Sequence, residues 1–475
     1  MPQVPASTAN TAVTSNAPTV RRFTLWLVVL TLAALAWRLG YVWHEQHRLL
    51  GGDGLSYFQQ ARAVAAGKGF LNPFNGRNDA IHPPAWTLIL TGLALLGGRA
   101  LLDMQLLAAV IGAAAVPLVG LVGRKVAGAR TGLLAAAIAA LYPGLWRYER
   151  ALLSESLLLP LIALTLLLAY RFRERPGLAR AAGLGVMCGL LASTRAEQIL
   201  IAPFVVVPLI WWAREPASGE RIDVRDRIRW LAAAGAVTVV LLTPWFAYNL
   251  GRFDSPVLLS NGFSGATGVS NCNETYYGPK TGYYDMGCLV RERRDHQKVA
   301  FIGDHLGRLP VVLAAREGRA FGVWAPFQQV DLDKSWERSA RWVHLGALYG
   351  YWILVLPAVA GATILRRRRV PIYPMMGFVL TVVIAVAITF GEPRYRVPAE
   401  IPIVVCAAVA IDALLRRWWP SGAPEASHHR SSPDDPSPDD SGHPDTGPYR
   451  HHERPVEPTP PLTFDQAPPA VGDLR

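Results

Sequence analysis

Ten apolar stretches alternate with polar loops along the chain, at about 23–43, 101–122, 131–147, 152–170, 181–194, 198–213, 229–249, 342–365, 371–390 and 398–415. A helix of about 20 apolar residues crosses the hydrocarbon core of a bilayer, and a lipid-solvated backbone must satisfy its own hydrogen bonds. The pattern therefore predicts an all-α integral membrane protein of about ten transmembrane helices, with short spans within 131–194. Half of the 475 residues are hydrophobic, only 17% are charged, and the charges cluster between the apolar blocks. A net charge of +12 raises the question of nucleic acid. The basic residues fall in short interhelical loops, without the interleaved aromatic patch that a nucleic-acid surface needs, so no nucleic-acid partner is expected.

Those loops set the orientation. Arg21-Arg22 precede the first stretch, and Arg124, Lys125 and Arg130 separate the second from the third. Arg171, Arg173, Arg175 and Arg180 follow the fourth, and Arg214 and a run from Arg221 to Arg229 follow the sixth. Arg366 to Arg369 follow the eighth, and Arg416-Arg417 the tenth. Ten crossings put all six groups on one face, which basic loops mark as cytoplasmic. Residues 85–98 would invert every later loop if they crossed; short and flanked by Pro83-Pro84 and Gly97-Gly98, they read as an interfacial or re-entrant helix in the first outer loop. The competing reading makes them a true span and leaves another segment uncrossed. The first stretch lacks a small-residue cleavage site before Trp37-Arg38 and is expected to be retained.

The expected organisation is a disordered cytoplasmic N-terminus (1–20), a transmembrane module (21–249) with its first outer loop at 44–100, an extracytoplasmic cap (250–341), C-terminal transmembrane helices (342–416), and a Pro-, His-, Asp- and Ser-rich disordered cytoplasmic tail (420–475). A loop of some ninety residues is too long to lack structure. Cys272 and Cys288 lie in that cap, in an oxidising compartment, and are expected to form a disulfide; closing such a loop contributes on the order of 3 kcal/mol. Cys188 and Cys406 sit in apolar stretches.

There is no P-loop and no dinucleotide fingerprint, and His44-Glu45-Gln46-His47 has the wrong spacing for the zinc motif. Asp53, in Gly51-Gly52-Asp53-Gly54, either caps a helix starting near Leu55 or acts as a general base above the first span. Glu155 lies at the outer start of the fourth stretch near Arg150, with which it can form an ion pair. Arg195 and Glu197, between apolar helices, pair locally or bind a headgroup. Arg394 and Arg396 anchor a helix end at headgroups, or grip an anion on the outer side.

The order of these elements resembles the GT-C superfamily of polytopic glycosyltransferases. It is most similar to the family 39 and protein-mannosyltransferase-like branch, which includes the aminoarabinose transferases. The resemblance covers about 20–416 and rests on Asp53 with Tyr57 and Ala61, on His82-Pro83-Pro84 and the short helix after it, on the Gly-Arg-Lys-x-x-Gly turn at 123–128, and on Arg-Tyr-Arg-x-Pro at 394–398. It implies a sugar donor on a polyprenyl phosphate, Asp53 as base toward the acceptor hydroxyl, and inversion at the anomeric carbon. His82 stands where many relatives carry Lys, so His82, Arg394, Arg396 and Arg195 become candidates for the donor phosphate. Tyr57, Glu155, Arg150 and Glu197 become acceptor-side or supporting candidates. No cofactor or metal is implied. The extracytoplasmic acceptor is a glycan, a lipid or a protein, and the enzyme sits in the plasma membrane. The alternative is a transporter or flippase of lipid-linked precursors, which would show repeats and broken helices at the midplane.

Overall fold

The computed structural model describes residues 17–288 and 298–418. The polar ends, where the sequence predicts disorder, fall largely outside them. No strand occurs among the described residues, whose only extended pairings are the isolated bridges Leu71–Asn78 and Arg214–Arg221.

Helix α1 (Ala17–His44) leads to α2 (Gly52–Ala65) and α3 (Pro84–Leu95). Then α4 (Leu101–Ala113) runs on into α5 (Ala115–Ala127), and Gly128 reverses the chain into α6 (Ala129–Leu141). A short α7 (Pro143–Arg150), α8 (Glu155–Glu174) and α9 (Leu178–Thr194) follow. The next apolar helix, Ala196–Trp211, is irregular and ends in α10 (Val207–Trp211). Its Pro203 and Pro208 lack N–H donors, and the Val207 N–H reaches back five residues to the Ala202 carbonyl in a π turn. Asp223 caps α11 (Val224–Leu250), its Oδ1 accepting from Arg225 N at 2.7 Å. Short helices follow α11, among them α12 (Gly262–Ser270), α13 (Leu309–Ala320) and α14 (Pro326–Glu337). The chain ends with α15 (Arg341–Arg367), α16 (Tyr373–Ile388), a 3-10 turn at Pro393–Arg396, and α17 (Val397–Trp418).

Among the described residues six helices are long and apolar enough to cross a membrane: Val20–His44, Leu101–Ala127, Glu155–Glu174, Val224–Leu250, Arg341–Arg367 and Pro393–Trp418. Four shorter apolar helices, Ala129–Leu141, Leu178–Thr194, Ala196–Trp211 and Tyr373–Ile388, coincide with the remaining expected spans; a fifth, Pro84–Leu95, is the segment read as interfacial. This is a multi-pass membrane protein. Helices α8 and α17 are mostly buried at the centre of the bundle, whereas α1 and α11 present most of their surface outward. Gly361 of α15 lets that helix close onto the Cys406 backbone of α17, where a Cβ would overlap the Cys406 carbonyl. Without a hydrophobic drive between helices in lipid, such close approach is what holds a bundle together.

Contacts sort the charges by end. Arg124 lies over the Phe23 ring at 4.5 Å, Lys125 pairs with Glu174, and Arg173 lies over Tyr373 at 5.6 Å. Arg130 and Arg416 share Asp412, at 3.2 and 2.9 Å. These basic loops therefore gather at one end, and α2, α3 and the described residues of 251–340 lie at the other, the capped end. In that region the sulfur atoms of Cys272 and Cys288 are joined.

Candidate active site

The site begins with the glycines at the start of α2. Gly52 adopts φ +48°, a left-handed conformation that glycine takes without strain. At Gly54 a Cβ would overlap the Ala151 carbonyl, so only glycine lets α2 lie directly on the turn before α8. Gly51, not Asp53, is the N-cap of α2, and no side chain caps it. The Asp53 carboxylate is thereby free to face the end of α17. Its Oδ2 is 2.7 Å from Arg394 Nη2, and its Oδ1 is 3.5 Å from His82 Nε2. Burial opposes ionisation of Asp53, but Arg394 and then His82 outweigh it and hold the carboxyl well below its usual range. The side chain remains 23% exposed, so a substrate can reach it.

His82 is held by a network that ties α2 to α3. Buried Gln60 donates from Nε2 to Asp79 Oδ2 at 3.2 Å and accepts from Thr87 Oγ1 at 3.0 Å. Asp79 Oδ1 accepts from the Ile81 N–H at 3.0 Å, one residue before His82. Pro84 at the first position of α3 fixes the exit of the loop. The His82 ring then rests against Tyr57, with centroids 4.6 Å apart.

The third wall is the 151–154 turn. Leu152 has φ +56°, and its carbonyl accepts from Trp86 Nε1 at 3.0 Å, locking the turn to α3. Buried Glu155 follows. It forms an ion pair with Arg195 and lies 3.5 Å from Arg394 Nε, while Arg195 also pairs with Glu197 and lies over the Tyr395 ring at 4.9 Å. The result is a ladder of alternating charge, Asp53–Arg394–Glu155–Arg195–Glu197. Glu155 Oε2 is buried and has no hydrogen-bond partner among the described residues, and neither has Oε1 of the adjacent buried Glu392. Burial pushes the Glu392 carboxyl up, against the pull of Arg394.

Residues 81–248 match a family profile described as dolichyl-phosphate-mannose-protein mannosyltransferase. The chain superposes on the archaeal oligosaccharyltransferase AglB of Archaeoglobus fulgidus, solved with an inhibitory peptide and a dolichol-phosphate, at 17% identity and TM-score 0.54 over 84% of this chain and 51% of that one. An apo structure of the Archaeoglobus fulgidus oligosaccharyltransferase aligns at 15% identity and TM-score 0.52, over 83% and 51%. The fold is that of these oligosaccharyltransferases. ArnT from Cupriavidus metallidurans, bound to undecaprenyl phosphate, aligns at 18% identity and TM-score 0.45, over 86% of this chain and 62% of that one. The chain spans about half the length of the oligosaccharyltransferases it matches. No curated protein matches it in sequence.

Within this fold, Asp53, Tyr57, His82, Glu155, Arg195, Glu197 and Arg394 come together. Two other candidates do not join them. Arg150 is buried elsewhere, donating to the carbonyls of Leu49 (3.2 Å), Glu337 (3.3 Å) and Arg338 (3.0 Å), so the expected alternative of a Glu155–Arg150 pair is replaced by Glu155–Arg195. Arg396 points away from Asp53: its Nε is 2.7 Å from Glu400, it donates to the Ala320 carbonyl at 2.8 Å, and it lies over the Tyr351 ring at 3.6 Å. Glu392, Gln60, Asp79 and Trp336 belong to the neighbourhood and were not singled out from sequence. Glu392 immediately precedes the Pro393–Arg396 turn that carries Arg394. Trp336 packs against Gly51 and Gly52 from the far side of the chain, and no local signal marks it.

Proposed function

We propose that this protein is a plasma-membrane glycosyltransferase that moves a hexosyl or pentosyl group from a polyprenyl-phosphate donor to an extracytoplasmic acceptor, with inversion. The reading is carried by the 2.7 Å pair of Asp53 and Arg394, which joins a carboxylate base from the first loop to a guanidinium from the last. In the proposed step the acceptor hydroxyl gives its proton to Asp53 while its oxygen bonds to the anomeric carbon. The bond from that carbon to the phosphate oxygen breaks, and its electron pair leaves with the lipid phosphate. Arg394, His82 and Arg195 meet the phosphate charge, with guanidinium offering paired donors. Because Arg394 already holds Asp53, an arriving phosphate competes for the same cation and releases the base, so donor binding precedes proton transfer. The unpartnered oxygens of Glu155 and Glu392 offer acceptors to sugar hydroxyls. Ionisable groups gather at the capped end rather than along a midplane path, which favours transfer over transport.

The test is Asp53→Asn, expressed in its native membrane and assayed for transfer from the cell's own polyprenyl-phosphate sugars, with envelope glycans and glycolipids compared against the parent strain. The expected result is an inserted protein whose transfer falls roughly 10²–10⁴-fold. Transfer at the wild-type rate would remove Asp53 as the base.

A further inference from the structure

We propose that the α2–α3 pair carries a docking site for the phosphodiester headgroup of an anionic phospholipid, distinct from the catalytic cluster and independent of the proposed transfer reaction. A recess of about 280 Å³ opens between the two helices, lined by Arg62, Ala65, Ala66, Ala94 and Arg99. Arg62, Ala65 and Ala66 share one face of α2 through their three- and four-residue spacing. Ala94 and Arg99 come from the end of α3 and the Gly97-Gly98 turn after it. Its three alanines leave room, and the two arginines that complete the lining are exposed. Arg62 lies over the Phe58 ring at 5.4 Å, Arg99 Nε donates to the Ala94 carbonyl at 3.3 Å, and among the described residues neither pairs with a carboxylate.

The apolar surroundings identify the kind of anion. Leu88, Leu95 and Leu96 are 50%, 64% and 87% exposed. Leu88 and Leu95, seven residues apart, lie on one face of α3. In a membrane protein an exposed leucine row beside paired arginines suits a ligand that brings acyl chains along with its phosphate; a free anion would use only the charge. Nine residues of α2 separate Arg62 from Asp53, about 14 Å at helical rise, so the recess is not an arm of the catalytic cluster. Holding this helix pair at headgroup level would also fix the depth at which Asp53 and His82 sit.

The experiment is native mass spectrometry of the purified, detergent-solubilised chain titrated with dioleoyl-phosphatidylglycerol, dioleoyl-phosphatidylcholine or inorganic phosphate. The wild type is expected to retain phosphatidylglycerol in preference to phosphatidylcholine. R62Q/R99Q should weaken its tightest phosphatidylglycerol adduct by about tenfold or more, since each cation near a lipid surface contributes about fivefold. Ala65→Leu should weaken the same adduct by filling the recess while both charges remain. Unchanged phosphatidylglycerol retention in R62Q/R99Q, or equal retention of phosphatidylcholine, would overturn the site. Displacement of the adduct by low-millimolar inorganic phosphate would overturn the lipid assignment. Both arginines are exposed, so the double variant is expected to melt with the wild type.

Discussion

Asp53 has one carboxylate oxygen against the Arg394 guanidinium and the other beside the His82 ring before any substrate arrives. Its low pKa has a definite cause: burial raises it, and Arg394 is the larger of the two opposing charges. Arg394→Gln removes that charge and leaves burial dominant, so the Asp53 pKa must rise. A base with a raised pKa is protonated at higher pH, and activity that depends on its ionised form is lost sooner on acidification. The acid limb of the transfer rate is therefore expected to move to higher pH in Arg394→Gln, together with weaker donor use. An acid limb that stays where it is in the wild type would detach Arg394 from the base. Arg396 predicts the opposite behaviour. It is buried in a 2.7 Å pair with Glu400, and breaking a buried pair costs about 3–5 kcal/mol because one charge is left unpartnered. Arg396→Ala should lower thermal stability in detergent, with donor dependence of the surviving fraction unchanged; a wild-type melting point with impaired donor use would reverse that assignment.

At the scale of elements, the site depends on how closely α2 approaches the 151–154 turn. Gly54→Ala places a methyl group against the Ala151 backbone, which cannot swing aside as a flexible side chain would. Overpacking of this kind typically costs about 1–3 kcal/mol. The expected outcome is an inserted protein with transfer reduced by about tenfold or more, since Asp53 moves relative to Arg394 on another helix; unaltered transfer would show that the contact does not set the site. The sequence made some of this legible. A short helix after Pro83-Pro84 was read from the sequence, and Pro84–Leu95 is helical and packs beside α2. The choice between cap and base for Asp53 was not legible, because it depends on whether a cation from the turn before α17 reaches the carboxylate. Nor was the pairing of Glu155 with Arg195 rather than Arg150. Both arginines flank apolar helices, and Arg150 is taken up by the carbonyls of Leu49, Glu337 and Arg338, which lie far from it in sequence. Gln60 and Asp79 look like ordinary loop and surface residues until their mutual hydrogen bond is seen.

For the whole molecule, the apolar periodicity fixes helices and the basic loops fix an orientation, yet neither says which helix ends converge. That depends on packing between helices such as α15 and α17, where small residues far apart in sequence meet. The orientation itself is open to direct test, because the wild-type thiols are hidden: Cys188 and Cys406 are buried, and Cys272 and Cys288 are joined. A single new cysteine therefore reports its own side of the membrane. Asn75 is exposed in the loop between α2 and α3, at the capped end, and Ser218 is exposed in the basic loop between α10 and α11, at the other. A membrane-impermeant maleimide added to intact cells is expected to label Asn75→Cys and to leave Ser218→Cys unmodified until the cells are opened. The reverse pattern would put Asp53 and Arg394 on the cytoplasmic face. It would sink the proposed extracytoplasmic acceptor while leaving the geometry of the cluster intact.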